Sequence, residues 1–177
     1  MPFSQKHVED LETLKAVAHP LRVVLLGMLR NEGPATASEL ARRTGESSGS
    51  TSYHLRQLER YGFVRDDDEQ PSGRERRWRA THDVTTIRDT MPGAEPLLEV
   101  LRERQVTVLR AGLAELGRLD PKPDGLGMSD LRLALDEADL VTLRDELVAV
   151  VERYADRRGS RAVAVHLALT PAVQVEP

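Results

Sequence analysis

The stretch GESSGSTSYHLRQLERYGF, residues 45–63, opens on small hydroxyl residues and runs on as a helix. Ser and Thr are poor helix formers, because their side chains compete with the backbone for hydrogen bonds. Thr51, Leu55 and Leu58 recur at four- and three-residue spacing, so they form the face that holds a helix over about 48–61 onto a core. The opposite side carries Ser50, Tyr53 and Gln57, flanked by Ser48, Gly49, Ser52, His54 and Arg56, and Gly62 stops the helix.

Upstream, ASELARRTG predicts a short helix capped by Thr36 or Ser38, with Leu40 and Ala41 inward and Gly45 as its stop. Two short helices joined by a tight Gly-containing turn are a helix-turn-helix signature. Before them, LRVVLLGMLRNEG is apolar almost all round and reads as the buried helix, entered through His19-Pro20 and closed by Gly33-Pro34. An amphipathic helix over 8–18 precedes it. Downstream, FVRDDDEQPSGRERRWRAT reads as strand, polar loop and strand. A helix-turn-helix with a trailing basic hairpin is a winged helix.

The rear of the chain has another character. Residues 82–95 form a connector containing Pro92 and Gly93. A long helix follows over about 96–119, and DPKPDGLG then breaks the chain. SDLRLAL and RAVAVHLALTP alternate apolar and other residues, which is strand periodicity, and they flank a helix over about 136–158 capped by Asp136. The expected class is mainly α with a small β component (α+β). Residues 1–81 make a winged helix-turn-helix, and 82–177 make a dimerisation or effector region of long helix and strand–helix–strand.

Totals agree with this division. The 177 residues are 40% hydrophobic and 31% charged, with 3% aromatic residues and no Cys. Aliphatic packing must hold the core, and disulfides, thiolate metal sites and Cys nucleophiles are excluded. The net charge is −4. Residues 14–81 nevertheless carry 12 Lys/Arg against 9 Asp/Glu, while 82–177 carry 12 against 17. Only the front is suited to an anionic partner. The N-terminus, MPFSQKHVEDLETLK, has no signal-peptide pattern and no long apolar run occurs, so a cytoplasmic location without membrane contact is expected.

The chemistry sits on the 48–61 helix and the hairpin. A helix that reads a major groove uses its N-terminal residues. Small hydroxyls allow close approach, and Gln can pair with adenine. The expected DNA-facing residues are Ser48, Gly49, Ser50, Ser52, Tyr53, His54, Arg56 and Gln57, with Arg74, Arg76 and Arg77 of the hairpin on phosphates. The acidic run Asp66-Asp67-Asp68-Glu69 is read as a solvated turn, and Trp78 as core.

The AHPLR entry, ATASELA, the spaced S-Y-HL-QL and YGFV blocks follow one another over residues 8–81. Together they resemble the winged helix-turn-helix of ArsR-type bacterial transcriptional regulators. ESSGSTSYHLRQL and GRERRWRA resemble an actinobacterial branch of it. The resemblance implies a homodimer on double-stranded DNA, at a roughly palindromic operator, with the wing on the flanking backbone. It departs from metal-sensing members. His7, His19, His54, His82 and His166 are scattered over unrelated elements, and no N or S ligands converge as zinc or copper would need. No metal or cofactor is expected, and an effector, small molecule or protein, is left open.

Two other functions are weaker. A winged-helix protein-interaction module without specific DNA binding would favour aromatic and Met anchors, which the Ser-rich face lacks. An enzyme would need a nucleophile–base motif, a phosphate loop or converging carboxylates, and none is present.

Overall fold

The computed structural model describes residues 4–67, 76–87, 91–154, 157, 159 and 163–172. Its elements are β1 (Gln5–Val8), α1 (Leu11–Val17), α2 (Pro20–Glu32), β2 (Ala35–Thr36), α3 (Ala37–Thr44), α4 (Ser48–Arg60), β3 (Val64–Asp66), β4 (Arg77–Ala80), β5 (Val84–Ile87), α5 (Glu95–Arg118) and α6 (Glu137–Glu152). The chain packs as two units, Phe3–Val106 and a second built on Thr107–Pro177.

In the first unit several helix ends have a local cause. Asp10 caps α1 by accepting from the Thr13 backbone N–H at 2.8 Å. Pro20 opens α2, where its missing N–H costs nothing, and His19 Nδ1 accepts from the Leu21 N–H at 3.2 Å. Thr36 and Glu39 form a reciprocal capping box at the start of α3. Gly45, at φ 74°, ends α3 in the left-handed region that glycine tolerates best. Ser47 then caps α4, accepting from the Ser50 N–H at 3.1 Å. Only residues 45–47 separate the two helices.

The core gathers Leu14, Leu25, Leu40, Leu55, Leu58, Phe63 and Val64, all fully buried. Thr51, Leu55 and Leu58 face it, as their spacing predicts, and Trp78 is buried among the same residues. The wing is an antiparallel sheet in the order β2-β4-β3, with Ala35 opposite Trp78 and Val64 opposite Ala80.

Three expectations need correction. First, the helix over 8–18 is shorter and follows a strand. β1 pairs in parallel with β5, Gln5 beside Val84 and Val8 beside Ile87, so part of the 82–95 connector is a strand. Arg30 of α2 pins it by donating to the His82 carbonyl at 2.9 Å and to Thr85 Oγ1 at 2.7 Å. Second, Asp67 is not a solvated turn residue. It is buried, at 7% exposure, beside Arg77 and Arg79. Third, the α+β class stands, but the two tail strands are not formed. Residues 131–135 and 163–170 carry no ladder among the described residues. A strand needs a neighbouring edge for its N–H and C=O groups, and none pairs with them among the described residues. α6 does begin at its predicted cap, with Asp136 accepting from the Asp139 N–H at 2.9 Å, but it ends at Glu152, short of 158.

Candidate nucleic-acid interface

α4 has two faces set by its spacing. The buried triad of Thr51, Leu55 and Leu58 turns the other side outward. Ser48, Gly49, Tyr53, Arg56 and Arg60 are exposed, and Ser50 and Ser52 are half-exposed. Tyr53 is 55% exposed, much for an aromatic in a chain with so few. A Cβ added to Gly49 would meet nothing within 4 Å, so Gly49 has no packing role within the chain. Positions 48, 52, 56 and 60 continue one stripe at helical spacing. Arg60 therefore belongs to the exposed face and was missed from sequence, although its four-residue step from Arg56 marks it.

Two expected residues lie off this stripe. His54 is half-buried, its ring 4.5 Å from that of His19 and 5.2 Å from that of Tyr53. Its Nδ1 is buried and has no hydrogen-bond partner among the described residues. Burial holds the His54 and His19 imidazoles below their usual pKa, with the Arg22 cation adding to the effect on both and His19 adding to that on His54. Gln57 is half-buried and lines a cleft of about 280 Å³ with Glu12, Lys15, Arg22 and Tyr61.

The wing arginines are engaged inside the chain. Arg76 lies 3.8 Å over the Trp78 ring and donates to Glu59 Oε1 of α4 at 2.5 Å and to Asp66 Oδ2 at 2.8 Å. The Asp66 carboxylate, then Glu59, hold its pKa above the usual guanidinium value, and Arg76 in turn lowers that of Asp66. Arg77 donates to the Pro34 carbonyl at 2.5 Å and lies 3.8 Å from Asp67. Arg76 thus ties the wing to α4, and Arg77 ties it to the start of β2. Arg74 lies outside the described residues. Among the described residues, no group of three or more His, Cys, Asp or Glu is placed to hold a metal ion.

Residues 17–67 match a domain family described as "Helix-turn-helix domain". They contain the turn, the exposed α4 stripe and the first strand of the wing hairpin. This segment is similar to a helix-turn-helix domain.

The helix-turn-helix domain is 41% identical over 51 residues to the HTH-type transcriptional regulator YgaV of Escherichia coli (strain K12). That stretch is 29% of this chain and 52% of the relative, so the chain spans about half the length of the curated relative it matches. Reduced HlyU from Vibrio cholerae N16961 is 27% identical, covering 40% of this chain and 70% of that one at a TM-score of 0.35. An ArsR family transcriptional regulator is 26% identical, covering 56% and 93% at a TM-score of 0.34. Overlaps at such TM-scores add nothing to the sequence match. Among the described residues, no helix is long and apolar enough to cross a membrane.

Proposed function

We propose that this protein is a sequence-specific DNA-binding transcriptional regulator, acting as a homodimer on a palindromic operator. In this reading residues 1–81 bind DNA and 82–177 supply the dimer contacts. α4 enters the major groove through Ser48, Gly49, Ser52, Tyr53 and Arg56, and the wing lies along the flanking backbone. His54 supports α4 from within rather than meeting bases.

One observation carries the reading. α4 is held down by a buried triad while its other side offers small residues, hydroxyls, one Tyr and two Arg to solvent. Gly49 leaves open space where the backbone could approach a base edge. The similarity to a transcriptional regulator supports the same class of function.

The test is selection of bound duplexes from a random pool by the purified full chain. The reading predicts an inverted repeat with half-sites about one helical turn apart. Recovery of no enriched sequence would overturn it.

A further inference from the structure

α1, α2 and the end of α4 meet around the cleft of about 280 Å³ lined by Glu12, Lys15, Ala16, Arg22, Gln57 and Tyr61. Neither the α4 stripe nor the wing accounts for it. A liquid water takes about 30 Å³, so the cleft has room for roughly nine. Its wall is rich in donors. Lys15 and Arg22 bring cations, Gln57 an amide and Tyr61 a phenol hydroxyl. Glu12 is the one acid of the lining, so two cations against one carboxylate leave it net positive.

Arg22 shows what is missing. Its Nη2 donates to the Lys15 carbonyl at 2.8 Å, and its Nε is buried with no hydrogen-bond partner among the described residues. Burial pushes its pKa down, and the groups that favour its charge are the phenols of Tyr53 and Tyr61 rather than a carboxylate. Other arginines of the same unit have acids beside them, Arg43 with Glu32, Arg76 with Glu59 and Asp66, and Arg77 with Asp67. A guanidinium that has lost hydration without gaining an anion is costly, and a buried polar group left unsatisfied calls for water or an ion as its partner. A guanidinium matches phosphate oxygens with its planar fork, and an ammonium adds a compact point charge. A tetrahedral phosphate accepts from several directions, which suits donors arriving from three helices. The acceptor directions of a carboxylate lie in one plane.

We propose that this cleft binds a phosphate group. Lys15 and Arg22 supply the charge, and Gln57 and Tyr61 supply neutral donors. The phosphate has two sources with the same chemistry, a free phosphate compound and the DNA backbone beside α4. Only the second source rests on the DNA-binding reading above. In sequence Gln57 and Tyr61 directly follow Arg56 and Arg60 of the exposed stripe, so the occupant touches the helix that is proposed to meet DNA.

The first arm of the test titrates inorganic phosphate into the full chain without DNA, at fixed ionic strength, and follows backbone and side-chain resonances by NMR. Lys15→Gln, Glu12→Gln and Arg22→Gln are run beside wild type. Lys15 and Glu12 are exposed, so their variants keep the fold and carry the decision if Arg22→Gln loses its circular dichroism signal. The expected result is saturable binding that shifts Gln57 and Tyr61. Lys15→Gln and Arg22→Gln should weaken it about ten-fold, and Glu12→Gln should tighten it about two-fold. The second arm measures the salt dependence of binding to the selected operator. A slope shallower by about one unit in Lys15→Gln identifies the DNA backbone as the source. An unchanged slope with weakened phosphate binding identifies a free phosphate compound. Wild type and Lys15→Gln alike in both arms overturn the proposal. If no operator is selected, the DNA-binding reading fails, and equality in the first arm alone overturns the cleft.

Discussion

The imidazole of His54 on α4 lies 4.5 Å, centre to centre, from that of His19, whose Nδ1 caps α2. The helix that faces outward is therefore joined through two rings in contact to the start of α2. Both rings have pKa values below the ordinary one of 6.5, chiefly because burial disfavours the cation, with Arg22 nearby. Protonation of His19 at Nδ1 would also remove the acceptor that caps α2.

A pH dependence follows. A group whose folded pKa is depressed binds fewer protons folded than unfolded, so stability falls as pH drops through the interval below the unfolded value. Urea midpoints should decline as pH falls below about 6.5, the unfolded histidine value. His82 is depressed for the same reason, so His54→Gln should flatten the slope without abolishing it. The depressed carboxylates Asp10, Glu39 and Asp66 act at lower pH. A variant slope equal to wild type would show that the histidine pair is not desolvated.

Thr51 is fully buried and its hydroxyl has no hydrogen-bond partner among the described residues. Removing an unsatisfied buried hydroxyl while keeping the shape relieves its desolvation cost, so Thr51→Val should raise stability by about 1 kcal/mol. Chemical denaturation measures this, and a loss of similar size would mean the hydroxyl is satisfied.

Gly49 separates stability from binding. An added Cβ meets nothing within 4 Å, and Ala is favoured over Gly in a helix by roughly 0.5–1 kcal/mol. Gly49→Ala should thus raise the melting temperature by a few degrees. Gly49→Leu should fold equally well yet weaken operator binding ten-fold or more, because it fills the space through which the groove is approached. Equal affinity would place Gly49 outside the interface.

Arg76 is held by Glu59 and Asp66 at the junction of wing and α4. These groups are more than a third exposed, so the pairs contribute little to stability, within about 1 kcal/mol. Their removal should instead release a cation for phosphate. Glu59→Gln/Asp66→Asn should steepen the salt dependence of DNA binding by about one unit of slope. An unchanged slope would assign Arg76 to the fold alone.

Much of the first unit was legible because its signals are local. Pro20, Thr36, Gly45 and Gly62 mark helix ends within a few residues, and the 51/55/58 spacing names the buried face of α4. The β1–β5 pair was not legible. Val84-Thr85-Thr86-Ile87 is a β-branched run, but its partner Gln5–Val8 has little apolar character and lies far away in sequence. His54 sits at the boundary between the buried and open faces, where a helical wheel does not decide. The pairing of wing arginines with Asp66 and Asp67 crosses the hairpin and has no signature in spacing. The tail shows the converse, a strand pattern without a strand, because a ladder depends on a neighbour as well as on periodicity.

In the proposed function the open stripe of α4 reads base sequence. Its most direct test is the ratio of affinities for the selected operator and for a scrambled duplex, measured at one salt concentration for wild type and for Ser52→Ala/Tyr53→Ala. Both residues lie away from the core, so the variant should keep its fold. The ratio should collapse toward one while affinity for the scrambled duplex, set by phosphate contacts, stays near wild type. A ratio unchanged by the substitution would contradict it.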